Sequence, residues 1–264
     1  MMQPPIRLAI NGALGRMGRT LVALAADDPR FELLHAVVEA LPASTPEGGK
    51  VPYATDWARA PALDVVVDFT GEAGLAAALE FCTARGVALV SGSTGLGSMM
   101  PQRLHTAASK IALMHASNFS LGAAVLARLL GEAAAALPDW DLEIIEAHHG
   151  RKLDAPSGTA LTLGEAAARA RGTTLDAVAA RGDRAGQRQP GSIGFAVVRG
   201  GDIVGEHTAL LIGQGERIEL AHRAGDRSIF ARGALEAAHW LAGRAPGAYG
   251  LADLLADRRT PNAP

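Results

Sequence analysis

The chain has 264 residues, which is long enough for one large domain or two modest ones, and we expect two. Hydrophobic residues make up 48% and charged residues 20%, a balance typical of globular proteins and unlike that of disordered chains. The formal net charge of -2 and the pI near 6.4 exclude an overall basic field of the kind that attracts nucleic acids or anionic membranes. Any site for anions must therefore be local.

Cys82 is the single cysteine, so no disulfide can form within the chain, and a cytoplasmic location is the simplest expectation. The first five residues lack the basic segment and apolar run of a secretion signal. No stretch approaches the roughly 20 apolar residues that a membrane span requires. We therefore expect no membrane and no nucleic acid among the partners.

The first half alternates short β-rich runs with alanine- and leucine-rich stretches, a pattern that predicts parallel strands with crossover helices. We predict a doubly wound α/β sheet in this half. Residues 42–61 are rich in proline, glycine and polar side chains, and we predict no regular structure for them. The predicted strands are residues 7–11, 32–38, 65–68 and 88–90, and the predicted helices are residues 16–26 and 74–85.

The second half changes character near Asn118, where we place a domain boundary. A long helix over residues 121–137 leads into an alternating strand over residues 140–147. Three further strands are predicted over residues 195–199, 203–212 and 217–222, joined by turns short enough for antiparallel hairpins at residues 200–202 and 213–215. A last helix over residues 229–241 could pack on either domain. We therefore predict an α+β domain for this half.

A glycine turn lies between the first predicted strand and the first predicted helix. Gly12, Gly15 and Gly18 are spaced G-x-x-G-x-x-G, and such a turn lets backbone N–H groups and the positive helix end approach a pyrophosphate. Glu39 ends the second predicted strand, where a carboxylate can accept hydrogen bonds from ribose hydroxyls. A plain turn with glycines for packing and a solvated glutamate is the alternative.

Two further segments follow predicted strands at the edge where open α/β sheets bind ligands. They are Asp68-Phe69-Thr70-Gly71 and Ser91-Gly92-Ser93-Thr94-Gly95. Their small residues let a flat ring approach the backbone, and their hydroxyls can bind a carboxamide or a substrate. Either segment could instead be only a loop with capping hydroxyls.

The segment from Glu146 to Ala160 combines two histidines and two cations with the start of a helix. Ser157 or Thr159 can cap that helix, and its free N–H groups with Lys152 and His149 would form a local anion pocket suited to a dicarboxylate. His148 and His149 point to opposite faces of an extended segment, and one of them is a candidate general acid. A metal site, surface histidines and an ordinary loop are the alternatives, the metal site being built from His148, His149 and Asp154.

These segments, with Ser117-Asn118-Phe119-Ser120 and residues 201–208, resemble the landmarks of the dihydrodipicolinate reductases. They occur in the family's order and cover almost the whole chain. The resemblance implies a Rossmann-like dinucleotide domain over residues 1–117, completed by residues 228–264. It implies a substrate-binding and tetramerisation domain over residues 118–227, hinges near Asn118 and Arg227, and a homotetramer. It also implies hydride transfer from NADH or NADPH to a cyclic, unsaturated imine dicarboxylate of the diaminopimelate and lysine pathway.

The resemblance further implies roles for individual residues. His148 and Lys152 would handle protons as catalytic residues. We expect that no metal is needed, because hydride transfer to a protonated imine requires an acid and a charge clamp, and His148, Lys152 and the helix start supply both. The substrate-binding residues would be His149, Ser157, Gly158, Thr159 and Thr94. The cofactor-binding residues would be Gly12, Gly15, Arg16, Met17, Gly18, Glu39, Phe69, Thr70, Gly92, Ser93, Thr94, Ser117, Asn118, Phe119 and Arg227.

This sequence departs from the family pattern on the cofactor side. Ser93 stands where threonine is usual, and Gly71-Glu72 replaces a common basic residue and proline, which puts cofactor affinity in doubt. We expect NADH to be favoured, because the carboxylate of Glu39 repels a 2′-phosphate and the next residue, Ala40, is uncharged. Arg16 could offset part of this repulsion.

Two other functions stay open on the sequence alone. A related two-domain oxidoreductase could act on another small acid, since a glycine turn indicates the cofactor and not the substrate. A nucleotide-sensing regulator could keep the fold without the chemistry. His148 and Lys152 distinguish an enzyme from such a regulator, because a sensor needs no proton donor beside a carboxylate pocket.

Overall fold

A computed structural model describes residues 4–42, 52–180 and 186–258. The chain divides into two compact units, unit 1 with Met1–Phe119 and Ser228–Pro264, and unit 2 with Ser120–Arg227. Among the described residues, no helix is both long and apolar enough to cross a membrane.

The helices and strands are numbered in chain order. The strands are β1 (Ile6–Asn11), β2 (Phe31–Val37), β3 (Tyr53–Ala54), β4 (Val65–Asp68), β5 (Ala88–Ser91), β6 (Ala112–His115), β7 (Asp141–His148), β8 (Ala179–Ala180), β9 (Ile193–Arg199), β10 (Gly205–Ile212), β11 (Arg217–Ala224) and β12 (Gly247–Tyr249). The helices are α1 (Arg16–Ala26), α2 (Glu72–Arg85), α3 (Met100–Ala108), α4 (Leu121–Ala136), α5 (Gly158–Ala170), α6 (Leu175–Val178), α7 (Ser228–Leu241) and α8 (Leu251–Asp257).

Unit 1 is built on a parallel sheet in the order β12-β6-β5-β4-β1-β2-β3. The strand order reverses between β1 and β4, and ligands of open α/β sheets bind at the carboxyl ends of the strands beside such a point. All residues of β4 and β5 are buried, as expected for strands covered on both faces. The predicted doubly wound parallel sheet is confirmed.

The helix α7 packs on unit 1, against α1, β4, β5 and β6, although it follows unit 2 in the chain. The helix packs very closely on the backbone of Phe119 at Gly233, where an added Cβ would lie 1.8 Å from the Phe119 carbonyl oxygen. The prediction left its docking open between the two domains, and the structure assigns it to unit 1.

Unit 2 contains a mixed sheet in the order β11-β10-β7-β9-β8, with α4 and α5 packed against the sheet. The strand β7 alternates regularly, so that every second residue is buried. Leu142 and Ile144 fill the apolar core, and Glu146 and His148 continue the same face of the strand. The sheet therefore carries two ionisable side chains inward at the carboxyl end of β7.

One predicted hairpin is wrong. Residues 200–202 do not join two paired strands, because β9 runs parallel to β7 and β10 runs antiparallel to β7 on its other side. The second predicted hairpin is confirmed, since β10 and β11 pair antiparallel across residues 213–216. Within residues 42–61 the structure adds the short strand β3, and residues 43–51 lie outside the described part of the chain.

Candidate active site

The glycine turn between β1 and α1 is packed against the end of β2. The N–H groups of Gly12 and Ala13 donate to the Val37 carbonyl oxygen at 2.9 and 3.0 Å. Gly12 has a φ of +81°, and a Cβ on Gly18 would lie 2.0 Å from the Gly12 oxygen, so neither position accepts a side chain without rearrangement. The start of α1 at Gly15 has no side-chain cap, which leaves its first N–H groups for an anion. The turn therefore fits a pyrophosphate.

Glu39 and Arg16 both lie next to this turn and are exposed. The strand β2 ends at Val37, so Glu39 lies two residues beyond the strand rather than at its end as predicted. Since Val37 holds the glycine turn through its carbonyl oxygen, the Glu39 backbone is adjacent to the turn. Ala40, the next residue, is also exposed.

Asp68 is a fully buried carboxylate that joins the ends of three strands of unit 1. It accepts hydrogen bonds from Asn11 Nδ2 at 2.8 Å, Thr70 Oγ1 at 2.6 Å, Ser91 Oγ at 2.8 Å and Ser93 Oγ at 2.7 Å. Ser93 Oγ also accepts from the Thr70 N–H at 3.0 Å. These two hydrogen bonds require a hydroxyl at position 93, and Ser93 supplies it although threonine is usual in the family.

Two of the remaining predicted cofactor residues of unit 1 are aromatic, and their rings lie close together. The Phe69 ring packs on Gly92, where an added Cβ would lie 2.2 Å from Cε1, and its centroid is 5.8 Å from that of Phe119. Phe119 is buried, whereas Phe69 is half-buried. Of the other predicted residues, Thr94, Thr70 and Ser117 are exposed, and Met17 and Asn118 are half-buried.

In unit 2, Glu146 is the buried centre of the second predicted site, with an exposed fraction of 1%. Its Oε1 accepts from the Ser157 N–H at 2.9 Å and from Arg199 Nη2 at 2.8 Å. Its Oε2 accepts from Arg199 Nη1 at 2.7 Å and lies 2.6 Å from His148 Nδ1. Burial acts to raise the pKa of the Glu146 carboxyl, but the hydrogen bonds from Arg199, His148 and Ser157 together lower it.

The helix α5 begins at the anion pocket that the sequence predicts. Ser157 is its N-cap, and its Oγ accepts from the Ala160 N–H at 3.2 Å and lies 2.9 Å from His207 Nε2. Burial is the main reason that the pKa of His207 is lowered to about 4, and the neighbouring His148 adds to this effect. The Ser157 hydroxyl and N–H are thus used within unit 2, and Gly158 follows with an exposed backbone.

Lys152 and His149 lie on the loop between β7 and α5. Lys152 Nζ donates to both carboxylate oxygens of Asp154 at 2.8 Å, and Arg199 Nη2 donates to the Asp154 carbonyl oxygen at 2.8 Å. His149 Nε2 lies 3.2 Å from Arg227 Nη2, and because a guanidinium only donates, this nitrogen accepts. Partial desolvation and the nearby positive charges, Arg227 first among them, lower the pKa of His149.

The structure thus groups the predicted residues into two sets, one in each unit. Unit 1 holds the glycine turn, Glu39 and the loops after β4, β5 and β6, including Thr94. Unit 2 holds His148, His149, Lys152 and the start of α5, and Arg227 lies there with His149 although it was predicted on the cofactor side.

The three residues of the alternative metal site face different partners, because His148 contacts Glu146, His149 contacts Arg227 and Asp154 contacts Lys152. Over residues 4–42, 52–180 and 186–258, no three or more His, Cys, Asp or Glu side chains are grouped to hold a metal ion.

Sequence reasoning missed three side chains of the second set, namely Glu146, Arg199 and His207. Glu146 and His148 are two residues apart on a strand, and this spacing alone places them on one face. Arg199 and His207 are brought to this site by the register of the sheet, in which Arg199 lies opposite His148 and His207 lies opposite Glu146. No local signal in the sequence predicts that register.

A parallel sheet with a glycine turn at its reversal point, together with a histidine and a lysine beside a helix start, defines a dinucleotide-dependent oxidoreductase. Residues 6–119 match the family described as dihydrodipicolinate reductase, N-terminus, and residues 122–255 match dihydrodipicolinate reductase, C-terminus. The chain belongs to this family, as the sequence motifs predict.

Individual proteins agree with this assignment. The 4-hydroxy-tetrahydrodipicolinate reductase of Stenotrophomonas maltophilia (strain K279a) is 49% identical over 258 residues, which cover 97% of this chain and 100% of that protein. The dipicolinate-bound dihydrodipicolinate reductase from Paenisporosarcina sp. TG-14 has the same fold, with a TM-score of 0.77 at 24% identity over 93% of this chain and 97% of that one. GenD2 from gentamicin A biosynthesis, in complex with NAD, shares the fold with a TM-score of 0.57 at 16% identity, over 100% of this chain and 90% of that one.

Proposed function

We propose that this chain reduces 4-hydroxy-tetrahydrodipicolinate to tetrahydrodipicolinate in the diaminopimelate route of lysine biosynthesis. The reaction removes the hydroxyl group as water and adds one hydride and one proton to the ring. The observation that carries the proposal is the cluster in unit 2, where Glu146 and Arg199 hold His148 at the start of α5. Arg199 also binds the carbonyl oxygen of Asp154, whose carboxylate binds Lys152. Such a cluster suits a substrate that has two carboxylates and must receive a proton.

The cofactor is a nicotinamide dinucleotide, which supplies the hydride when bound. Gly12, Gly15 and Gly18 would bind its pyrophosphate at the start of α1. We propose that the loops after β4, β5 and β6 bind its nicotinamide half, because Phe69 and Gly92 offer a flat surface and Ser93 and Thr70 are held in place by Asp68. The NAD-bound GenD2, which shares the fold, supports this use of unit 1.

We propose that NADH is used at least as well as NADPH. Glu39 is exposed and its backbone is adjacent to the glycine turn. Its carboxylate would accept hydrogen bonds from two ribose hydroxyls, while it would repel a 2′-phosphate. Arg16, the opposing charge that the sequence predicts near the turn, is exposed and therefore screened by water.

In unit 2, we propose that His148 and Lys152 handle the proton and that the start of α5 binds a carboxylate. His148 Nδ1 is held by Glu146, which leaves Nε2 to gain and lose a proton. Lys152 and the backbone at Gly158 and Thr159 would supply positive charge and N–H donors. The relative bound to dipicolinate, a flat dicarboxylate, supports a pocket of this kind.

We also propose a cytoplasmic homotetramer. The single cysteine, Cys82, is buried and suits a reducing compartment. Self-association would use the face of the unit 2 sheet opposite α4 and α5, where Val198 and Ile212 keep exposed fractions of 47% and 36%.

The experiment that tests the proposed function is the loss of NADH absorbance when enzymatically generated 4-hydroxy-tetrahydrodipicolinate is added to the purified protein. The expected result is oxidation of NADH that depends on both the protein and the substrate, with tetrahydrodipicolinate as the product. No oxidation in the presence of a tightly bound cofactor would contradict the proposal.

A further inference from the structure

We propose that Glu146 is a positioning residue, which holds the ring of His148 and the start of α5 in one arrangement through its two carboxylate oxygens. This inference rests on the proposed function, because it assigns the arrangement to the substrate of that reaction. It goes beyond that function by naming the group that sets which nitrogen of His148 carries the exchangeable proton.

The first step is the hydrogen bonding of the carboxylate. Glu146 is buried, and each of its oxygens serves two donors. Oε1 accepts hydrogen bonds from the Ser157 N–H and from one Arg199 nitrogen. Oε2 accepts a hydrogen bond from the other Arg199 nitrogen and faces His148 Nδ1. A carboxylate with four donors has no remaining capacity to accept hydrogen bonds, and its orientation is fixed.

The second step is the charge state. The hydrogen bonds to Glu146 more than offset the effect of burial on its pKa, which stays below its ordinary value, so the group is an anion at neutral pH. Arg199 supplies the compensating charge within the same buried cluster. An ionised carboxylate only accepts, and His148 Nδ1 must therefore donate its hydrogen to Oε2. The exchangeable proton then belongs to Nε2.

The third step is the space around the His148 ring. Gly205 lies directly against Nε2, and an added Cβ there would be 3.0 Å from this atom. On another side the ring of His207 meets that of His148 edge to face, with 5.2 Å between the centroids. The ring is therefore held at Nδ1 by a hydrogen bond and confined by its neighbours.

A buried ion pair is by itself weak evidence for stability, since apolar residues of similar size often serve as well. Leu142 and Ile144, the two preceding inward residues of β7, show that this face accepts apolar side chains. The change from apolar to charged residues occurs only at Glu146, where Glu146 also meets the N-cap of α5. This placement indicates a role in the chemistry rather than in packing.

The test is the variant Glu146→Gln, in which one carboxylate oxygen becomes an NH₂ group. The remaining oxygen can still accept from Ser157 and Arg199, but the amide nitrogen donates and cannot accept from His148 Nδ1. We expect the neutral ring to change from the Nδ1–H to the Nε2–H tautomer. We expect turnover to fall about 100-fold, with nearly unchanged NADH affinity.

The tautomer is read from the ¹⁵N chemical shifts of the ring nitrogens in substrate-free protein, at a pH where imidazoles are neutral, with His148→Gln to assign the signals. The matched control is Glu143→Gln. Glu143 lies on the other face of β7 and also pairs with an arginine, Arg188. We expect the control to leave the His148 tautomer and turnover unchanged.

Three outcomes would overturn the proposal. One is an Nε2–H tautomer of neutral His148 in the unmodified protein, which needs no variant to fold. Another is a folded Glu146→Gln protein with the original tautomer and turnover. The third is full activity in Glu146→Asp, which keeps the charge for Arg199 but is too short to hold both His148 and Ser157. Because the tautomer is measured without substrate, failure of the proposed function leaves this result readable.

Discussion

At the scale of single residues, His148 and Lys152 carry the proton handling in the proposed reaction. We expect His148→Ala and Lys152→Ala each to lower turnover by about 10²–10⁴-fold, because a positioned proton donor is lost. The affinity for NADH should change little, since the glycine turn is in unit 1. Steady-state kinetics and fluorescence titration of NADH measure the two quantities. Near-normal turnover in both variants would remove these residues from the mechanism.

We expect Glu39 and Ala40 to set the preference between the two nicotinamide cofactors. We expect Ala40→Arg to shift the ratio of kcat/KM toward NADPH by about tenfold, because a guanidinium beside the turn can bind a 2′-phosphate. The ratio is measured for both cofactors at fixed substrate and low salt, where screening is weak. Arg85→Ala, a change at the exposed end of α2, serves as the control and should leave the ratio unchanged. A strong NADPH preference in the unmodified protein would mean that Arg16 governs the ribose pocket.

The sequence predicts the residues of the second site that follow one another in the chain, and misses those that the sheet brings in. His148, Lys152 and Ser157 lie within ten positions of one another, so a motif reveals them. Arg199 and His207 reach Glu146 only because β9 and β10 flank β7 in a particular register. Such pairing is a property of the folded sheet and leaves no local pattern.

At the scale of helices and strands, α4 and α5 begin in the same way. Ser120 and Ser157 cap the two helices, and each hydroxyl also meets a histidine Nε2, that of His222 at 3.2 Å and that of His207 at 2.9 Å. These histidines lie opposite each other on β10 and β11. Burial is the largest cause of the lowered pKa of both. Both helix starts are thus held by histidines that favour the neutral form.

This arrangement makes the stability of unit 2 depend on pH. The pKa of His207 is about 4 in the folded chain and about 6.5 in the unfolded one, so the unfolded state binds more protons between these values. We expect the free energy of unfolding to fall by a few kcal/mol as pH drops from about 6.5 to about 4, and this term to be constant above that window.

Chemical denaturation at a series of pH values measures this effect. His207→Gln should reduce the dependence to the part that His222 and His149 contribute, since glutamine can still bind Ser157 but does not titrate. His239→Gln, which changes an exposed histidine on α7, is the control and should keep the slope. An equal slope in the His207 variant and the unmodified protein would contradict the assignment.

Local pattern predicts most elements of unit 1, because buried strands and alanine-rich helices alternate there. The wrong hairpin at residues 200–202 shows the limit of this reasoning. Its glycines favour a tight turn, but β7 intervenes between the two strands and pairs with both. Strand insertion of this kind is decided by the competition among all pairings of the sheet, not by the turn.

At the scale of the whole molecule, self-association should depend on the open face of the unit 2 sheet. That face carries the half-buried Leu210 and the exposed Ile212 and Val198. We expect Leu210→Asp to convert the proposed tetramer to smaller species, because a carboxylate in an apolar interface loses its hydration. Light scattering after gel filtration measures the mass. Leu129→Asp on the exposed side of α4 is the control, and an unmodified monomer would contradict the proposal.

Unit 1 takes its sheet from two distant parts of the chain, and this has a consequence during synthesis on the ribosome. Domains form as their residues emerge, from the N-terminus onward. The strand β6 is completed early, but its neighbour β12 is made only after all 108 residues of unit 2, Ser120–Arg227, have been translated. Throughout that interval the nascent chain carries an open strand edge at β6, the kind of edge that pairs with other chains.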